Sequence, residues 1–179
     1  MSRALVIVDF QNDFTPGGAL AVAEGDLIAP RIDALARSGE FDLVVATRDW
    51  HPPDHDSFAE QGGPWPPHCV QGTPGADFHP ALDRELLDAV VSKGYEPALE
   101  GYSGFERTEL EALLREHGVE ALTMVGLATD YCVKQTALDA LRRGFDVTVD
   151  ASAVRPVEVE PGDGERALAE VRAGGGAIA

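Results

Sequence analysis

Short β-branched runs alternate with amphipathic stretches along the whole chain, and this alternation limits the fold more than any other feature. The runs are Arg3–Val8, Asp42–Arg48, Asp88–Ser92, Ala121–Val125 and Phe145–Val149, each bounded by turn-forming or charged residues. Between them lie helical periods at Asp26–Arg37, Thr108–Glu116, Asp130–Arg143 and Asp163–Arg172. Thr108 with Glu111 has the spacing of a capping box, and Gly118 and Gly144 stand where helices stop. Continuous apolar strands separated by helices predict an α/β sandwich with a mainly parallel sheet flanked by helices. A last short strand is expected near Ala177.

The composition narrows the function. With 31 acidic against 14 basic residues the formal charge is −17, so the surface repels phosphate backbones and anionic lipid. Neither nucleic acid nor membrane is expected as a partner. No apolar run approaches the ~18 residues that a spanning helix needs, and the Ala4–Val8 run stops at Asp9, short of a signal peptide. A cytoplasmic chain is the expectation, either monomer or homo-oligomer. The two cysteines, Cys69 and Cys132, sit in contexts as different as a loop and a helix start, which gives no support for a disulfide.

One segment breaks the alternation. His51–Pro80 carries most of the histidines and prolines and no helical or strand period. A loop this long is usually functional, and Phe58, Trp65 and Phe78 favour a folded cover over the active face rather than disorder.

In an open parallel sheet the ligand crevice lies beyond the carboxyl ends of the strands. The first strand delivers Asp9 there, the second Asp49 and His51, the third Lys93, and the fourth the run Gly126–Cys132. Taken singly, an Asp after a strand is commonly a turn residue and a Lys a solvated one; their conjunction carries the argument. If Thr129 caps the following helix, Cys132 occupies its third position, where free N–H groups and the helix dipole favour a thiolate. A lone helical Cys is more often a small buried hydrophobe, yet the preceding turn also offers N–H groups to a developing oxyanion. No histidine lies near Cys132 in sequence, so Asp9 is the candidate base and Lys93 the cation holding carboxylate and thiolate together.

A second cluster is Asp49, His51 and His55, with His68 downstream. Carboxylate and imidazole donors at this density suit one divalent metal ion, zinc, iron or manganese. Cys69, beside His68, is a rival ligand.

These residues are similar to those of a known family over nearly the whole chain. Asp9-Phe10-Gln11-Asn12-Asp13-Phe14, Asp49-Trp50-His51-Pro52, Trp65 to Thr73, Lys93-Gly94, Tyr102 to Phe105 and Gly126 to Val133 resemble the motifs of the nicotinamidases, within the isochorismatase-like cysteine hydrolases. The resemblance implies one domain over residues 1–179 with a six-stranded sheet, and a catalytic triad of Asp9, Lys93 and Cys132. It implies a metal on Asp49, His51 and His68, with His55 or water completing the shell, and a cis peptide before Ala128. The Ala128 and Cys132 amides would form an oxyanion hole, and Phe14, Trp65 and Tyr102 would wall the substrate. The implied activity is hydrolysis of a small carboxamide, nicotinamide and also pyrazinamide, through a cysteine thioester in NAD salvage. Two rivals stand beside it. One is another amidohydrolase of the superfamily, isochorismatase-like or carbamoyl-cleaving. The other is a non-catalytic metal- or partner-binding module on the same fold, against which the three triad residue types argue. Ala151 onward is only loosely matched.

Overall fold

The computed structural model describes residues 1–179. Six strands form one parallel sheet: β1 (Ser2–Val8), β2 (Leu43–Asp49), β3 (Ala89–Lys93), β4 (Val119–Leu127), β5 (Asp146–Arg155) and β6 (Ala177–Ile178), in the order β3-β2-β1-β4-β5-β6. Four helices accompany them: α1 (Ala29–Ala36), α2 (Leu110–Glu116), α3 (Lys134–Arg142) and α4 (Asp163–Ala173).

The period of two along each strand divides the core between the two faces of the sheet. In β1, Ala4, Val6 and Val8 pack with residues of α2, α3 and α4, while Leu5 and Ile7 pack with α1 and the loop residues Phe10, Phe14 and Phe78. All five of these β1 side chains are fully buried. At roughly 1.5–3 kcal/mol for each large aliphatic side chain, this central strand organises both halves of the core.

The order also fixes where a crevice must open. The chain runs outward from β1 through β2 to β3, then returns to the other side of β1 as β4, so the direction reverses between β1 and β4. Asp9 leaves β1 and the Cys132 turn leaves β4 on the two sides of that switch point. The strands come very close there: a Cβ on Gly126, whose φ is +114°, would lie 2.0 Å from the Val8 carbonyl oxygen. Only glycine fits.

Several local expectations need correction. The fourth and fifth strands run well beyond Ala121–Val125 and Phe145–Val149, since after a register shift Gly126 and Leu127 pair with Val154 and Arg155. The α1 period begins as a 3₁₀ turn at Gly25–Ile28. The capping box does not form. The Thr108 hydroxyl donates to the Gly104 carbonyl and accepts the Leu110 amide, while Glu111 pairs with Arg115 and Arg143. The long loop is folded: short 3₁₀ turns and isolated bridges between His51 and Val70, Phe58 and Trp65, and Gln11 and Phe78 tie it to the sheet edge.

Candidate active site

Strand parity builds the site. Leu43 and Val45 face the helices α2 and α3, so Thr47 and Asp49 follow on that face at the end of β2. Val91 does the same in β3 and places Lys93 beside Asp49, its register partner. Asp9, Asp49 and Lys93 are all buried at the point where they meet.

The Lys93 ammonium has three N–H bonds. They go to Asp49 Oδ1 at 2.5 Å, to the Gly101 carbonyl at 2.5 Å and to Cys132 Sγ at 3.3 Å. Asp9 Oδ2 is 2.7 Å from the same nitrogen as an ion-pair contact. An oxygen of Asp9, an oxygen of Asp49 and Cys132 Sγ all lie within 4.8 Å of one another. The structure thus brings Asp9, Lys93 and Cys132 together, with an Asp9 oxygen on the ammonium that also reaches the thiol.

The charges follow from burial. Burial pushes the Asp9 carboxyl up, Lys93 draws it back and Asp49 raises it again, to about 6. Burial would also raise Asp49, but Lys93, His51 and His68 together hold it well below the usual carboxylate range. Desolvation opposes the Lys93 charge and loses to Asp49 and Asp9, so the ammonium persists. Burial pushes the Cys132 thiol well up, outweighing Lys93. The resting sulfur is a thiol, and an adjacent base must activate it.

The turn that carries Cys132 differs from expectation. Thr129 does not cap a helix. Thr129–Val133 is a π-helical turn that enters α3 at Lys134, with Ala128 in the capping position and the Thr129 hydroxyl buried without a partner. The Ala128 carbonyl accepts the Tyr131 and Val133 amides, on either side of the Cys132 N–H. The peptide between Leu127 and Ala128 is cis, as the family resemblance implies. Asp130 accepts the Val157 and Glu158 amides and ties that later segment to the turn.

Asp49 joins the triad to the histidines. Its Oδ2 lies 3.3 Å from His51 Nε2 and 3.8 Å from His68 Nε2. His51 Nδ1 is 2.8 Å from the Gly94 carbonyl and His68 Nδ1 is 2.8 Å from the Pro66 carbonyl. A carbonyl can only accept, so both Nδ1 atoms carry a proton and both Nε2 atoms are turned toward Asp49. Fixing the tautomer through the second ring nitrogen is the usual support of a metal-bound imidazole. Asp49, His51 and His68 therefore fit a divalent ion, and their ligand atoms lie within 4.8 Å of one another. Close backbone passage makes room for His51, since a Cβ on Gly94 would lie 2.5 Å from its Cε1.

His55 is not brought into that set. Its Nδ1 lies 2.7 Å from the Ser57 hydroxyl and 3.2 Å from the Ser57 amide, its Nε2 is buried without a hydrogen-bond partner, and the ring lies tilted 3.9 Å from that of His51. Burial, and then His51, lower its pKa to about 4. Cys69 also stays outside: its amide donates to Asp13 Oδ2, its carbonyl accepts the His51 amide, and burial pushes its thiol well up.

Over Cys132 and Asp49 lies a small pocket walled by Phe14, Leu20, Trp65, Tyr102, Tyr131 and Val157. Trp65 Nε1 donates to the Tyr102 hydroxyl at 2.9 Å, and Tyr131 packs against both rings. The three expected walls are present. Leu20 and Val157 escaped the sequence reading because a loop aliphatic carries no local signal of what it faces. Two supports were also missed. Gln11 donates to the Asp49 carbonyl and accepts the Asp49 amide, extending the ladder past the end of β1, and Asp13 holds the Cys69 and Ala19 amides.

A family model described as the isochorismatase domain matches residues 3–179. The nicotinamidase/pyrazinamidase of Mycobacterium tuberculosis is 50% identical over 160 residues, covering 84% of this chain and 86% of that protein. The nicotinamidase of Escherichia coli is 43% identical over 201 residues, covering 98% and 93% respectively. A crystal structure of the pyrazinamidase of Pyrococcus horikoshii in complex with zinc superposes with a TM-score of 0.92 at 49% identity, covering 100% of this chain and 99% of that one. Matched along almost its whole length, the chain belongs to the isochorismatase domain family.

Proposed function

We propose that this protein is a metal-dependent amidohydrolase that converts nicotinamide to nicotinate and ammonia through a thioester on Cys132, in NAD salvage, and that it also hydrolyses pyrazinamide. The observation that carries this reading is the sharing of Asp49, one oxygen on Lys93 and the other toward His51 and His68, which puts a nucleophilic thiol and a metal-type donor set in one small aromatic cavity. The nicotinamidase and pyrazinamidase relatives support the substrate class.

Asp9 Oδ2 takes the Cys132 proton, and the sulfur keeps the electron pair and attacks the carboxamide carbon. The Ala128 and Cys132 amides receive the developing oxyanion. The proton held at Asp9 passes to the leaving nitrogen, ammonia departs, and a thioester remains. Asp9 then takes a proton from water, whose oxygen attacks the thioester carbon, and nicotinate leaves as the thiol is restored. Phe14, Trp65 and Tyr102 hold the ring and exclude water. An ion on Asp49, His51 and His68, which we infer to be zinc, supplies an electrophilic anchor for the ring nitrogen. The test is ammonia release from nicotinamide by purified protein, with and without a chelator. Turnover that falls on chelation is expected, and no release by metal-loaded protein overturns the reading.

A further inference from the structure

We propose that Thr47 is a positioning residue that fixes which Asp9 oxygen accepts the Cys132 proton. The inference rests on the thiol mechanism above and adds a residue to it. Thr47 is fully buried, two residues before Asp49 and in register with Val8. Its hydroxyl donates to Asp9 Oδ1 at 2.7 Å, and its carbonyl accepts the Asp9 amide at 3.1 Å. Asp9 has a φ of +46°, where a residue with a side chain seldom sits, so both bonds from Thr47 hold it in an unusual pose.

The consequence lies in how the donors are shared. The Thr47 hydroxyl is a directed donor to Asp9 Oδ1, whereas Oδ2 meets the Lys93 ammonium at 2.7 Å in an ion pair. It occupies Oδ1 and leaves Oδ2, which contacts the same ammonium that reaches Cys132 Sγ, as the oxygen to receive the proton. When the S–H bond breaks, the new O–H bond forms at Oδ2 and the electron pair stays on sulfur, while Thr47 neither gains nor loses a proton. Without the hydroxyl the two oxygens lose their distinction, and the carboxylate can turn or draw an N–H of Lys93 away from Cys132. The Thr47 methyl packs against Gly104, a contact that valine keeps.

The experiment compares Thr47→Val and Thr47→Ser in metal-loaded protein, reading kcat and KM for nicotinamide and the rate of Cys132 alkylation by iodoacetamide at one pH, followed by peptide mass. Thr47→Val should lower kcat by about 10-fold to 100-fold, within the range of a general base, with KM changed by less than about threefold and alkylation slowed in parallel. Thr47→Ser should recover most of both rates. In an Asp9→Asn background Thr47→Val should slow alkylation no further. A valine variant within about twofold of the parent in kcat, a serine variant as impaired as valine, or an undiminished valine effect beside Asn would each overturn the proposal. If the parent releases no ammonia from nicotinamide, the functional reading fails, and the alkylation comparison still decides the role of Thr47.

Discussion

Lys93 is surrounded by two carboxylates, a carbonyl and a sulfur, all buried, and its compact ammonium can address them from one point. A guanidinium spreads its donors over a planar fork. Lys93→Arg should therefore lose nearly all turnover although the charge is kept, and a fully active arginine variant would show that charge alone suffices. In the proposed mechanism Asp9, Lys93 and Cys132 act on one proton, so single replacements should each cost several orders of magnitude in kcat and their combinations should be far from additive. Because Asp9 must be a carboxylate to take the proton and titrates at about 6, activity should fall as pH drops through about 6. A profile flat down to pH ~5 would contradict Asp9 as the base. The proposed triad was legible in sequence because Asp9 and Lys93 stand at strand ends and Cys132 in the turn after one, where such residues are conspicuous after an apolar run. Thr47 was not, since a threonine inside a strand reads as one more β-branched strand former. The Gly101 carbonyl was invisible for a simpler reason: backbone acceptors have no residue signature.

The elements were read well where a long apolar period defines them and poorly at their ends. All six strands and four helices lie near their expected places, but the segment before α3 is a π-helical turn, because the Ala128 carbonyl, paired with the Tyr131 and Val133 amides, overrides the preference of Thr129 for a cap. The histidine loop shows the same limit. Its function was legible from its residue types, whereas its order depends on side chains of the β1 loop that reach across to it. Asp13 accepts the Cys69 amide, next to His68, and Gln11 clamps both sides of Asp49. Asp13→Ala should loosen the His68 segment, so purified variant protein should hold less metal per chain by elemental analysis while keeping its far-ultraviolet circular dichroism. Full metal content in that variant would show that the loop holds its shape without the tie.

At the scale of the molecule, the switch point between β1 and β4 gathers two sites that share one carboxylate, yet the account gives them different tasks. No helix is long and apolar enough to cross a membrane. A bound ion that stabilises only the folded chain should raise Tm, so chelation should lower it. If the ion orients the ring nitrogen, His51→Ala should damage nicotinamide hydrolysis severely, while benzamide, which lacks that nitrogen, should start as a poor substrate and lose proportionately less. Equal losses for both amides would point to metal-bound water as the attacking group. The central claim, covalent catalysis by Cys132, is tested most directly by acid-quenching metal-loaded protein during turnover of nicotinamide and mapping its peptides by mass. The account predicts one nicotinoyl group on the peptide containing Cys132, none on the peptide containing Cys69, and neither adduct nor ammonia from Cys132→Ala. Ammonia released at the parent rate by Cys132→Ala would contradict it.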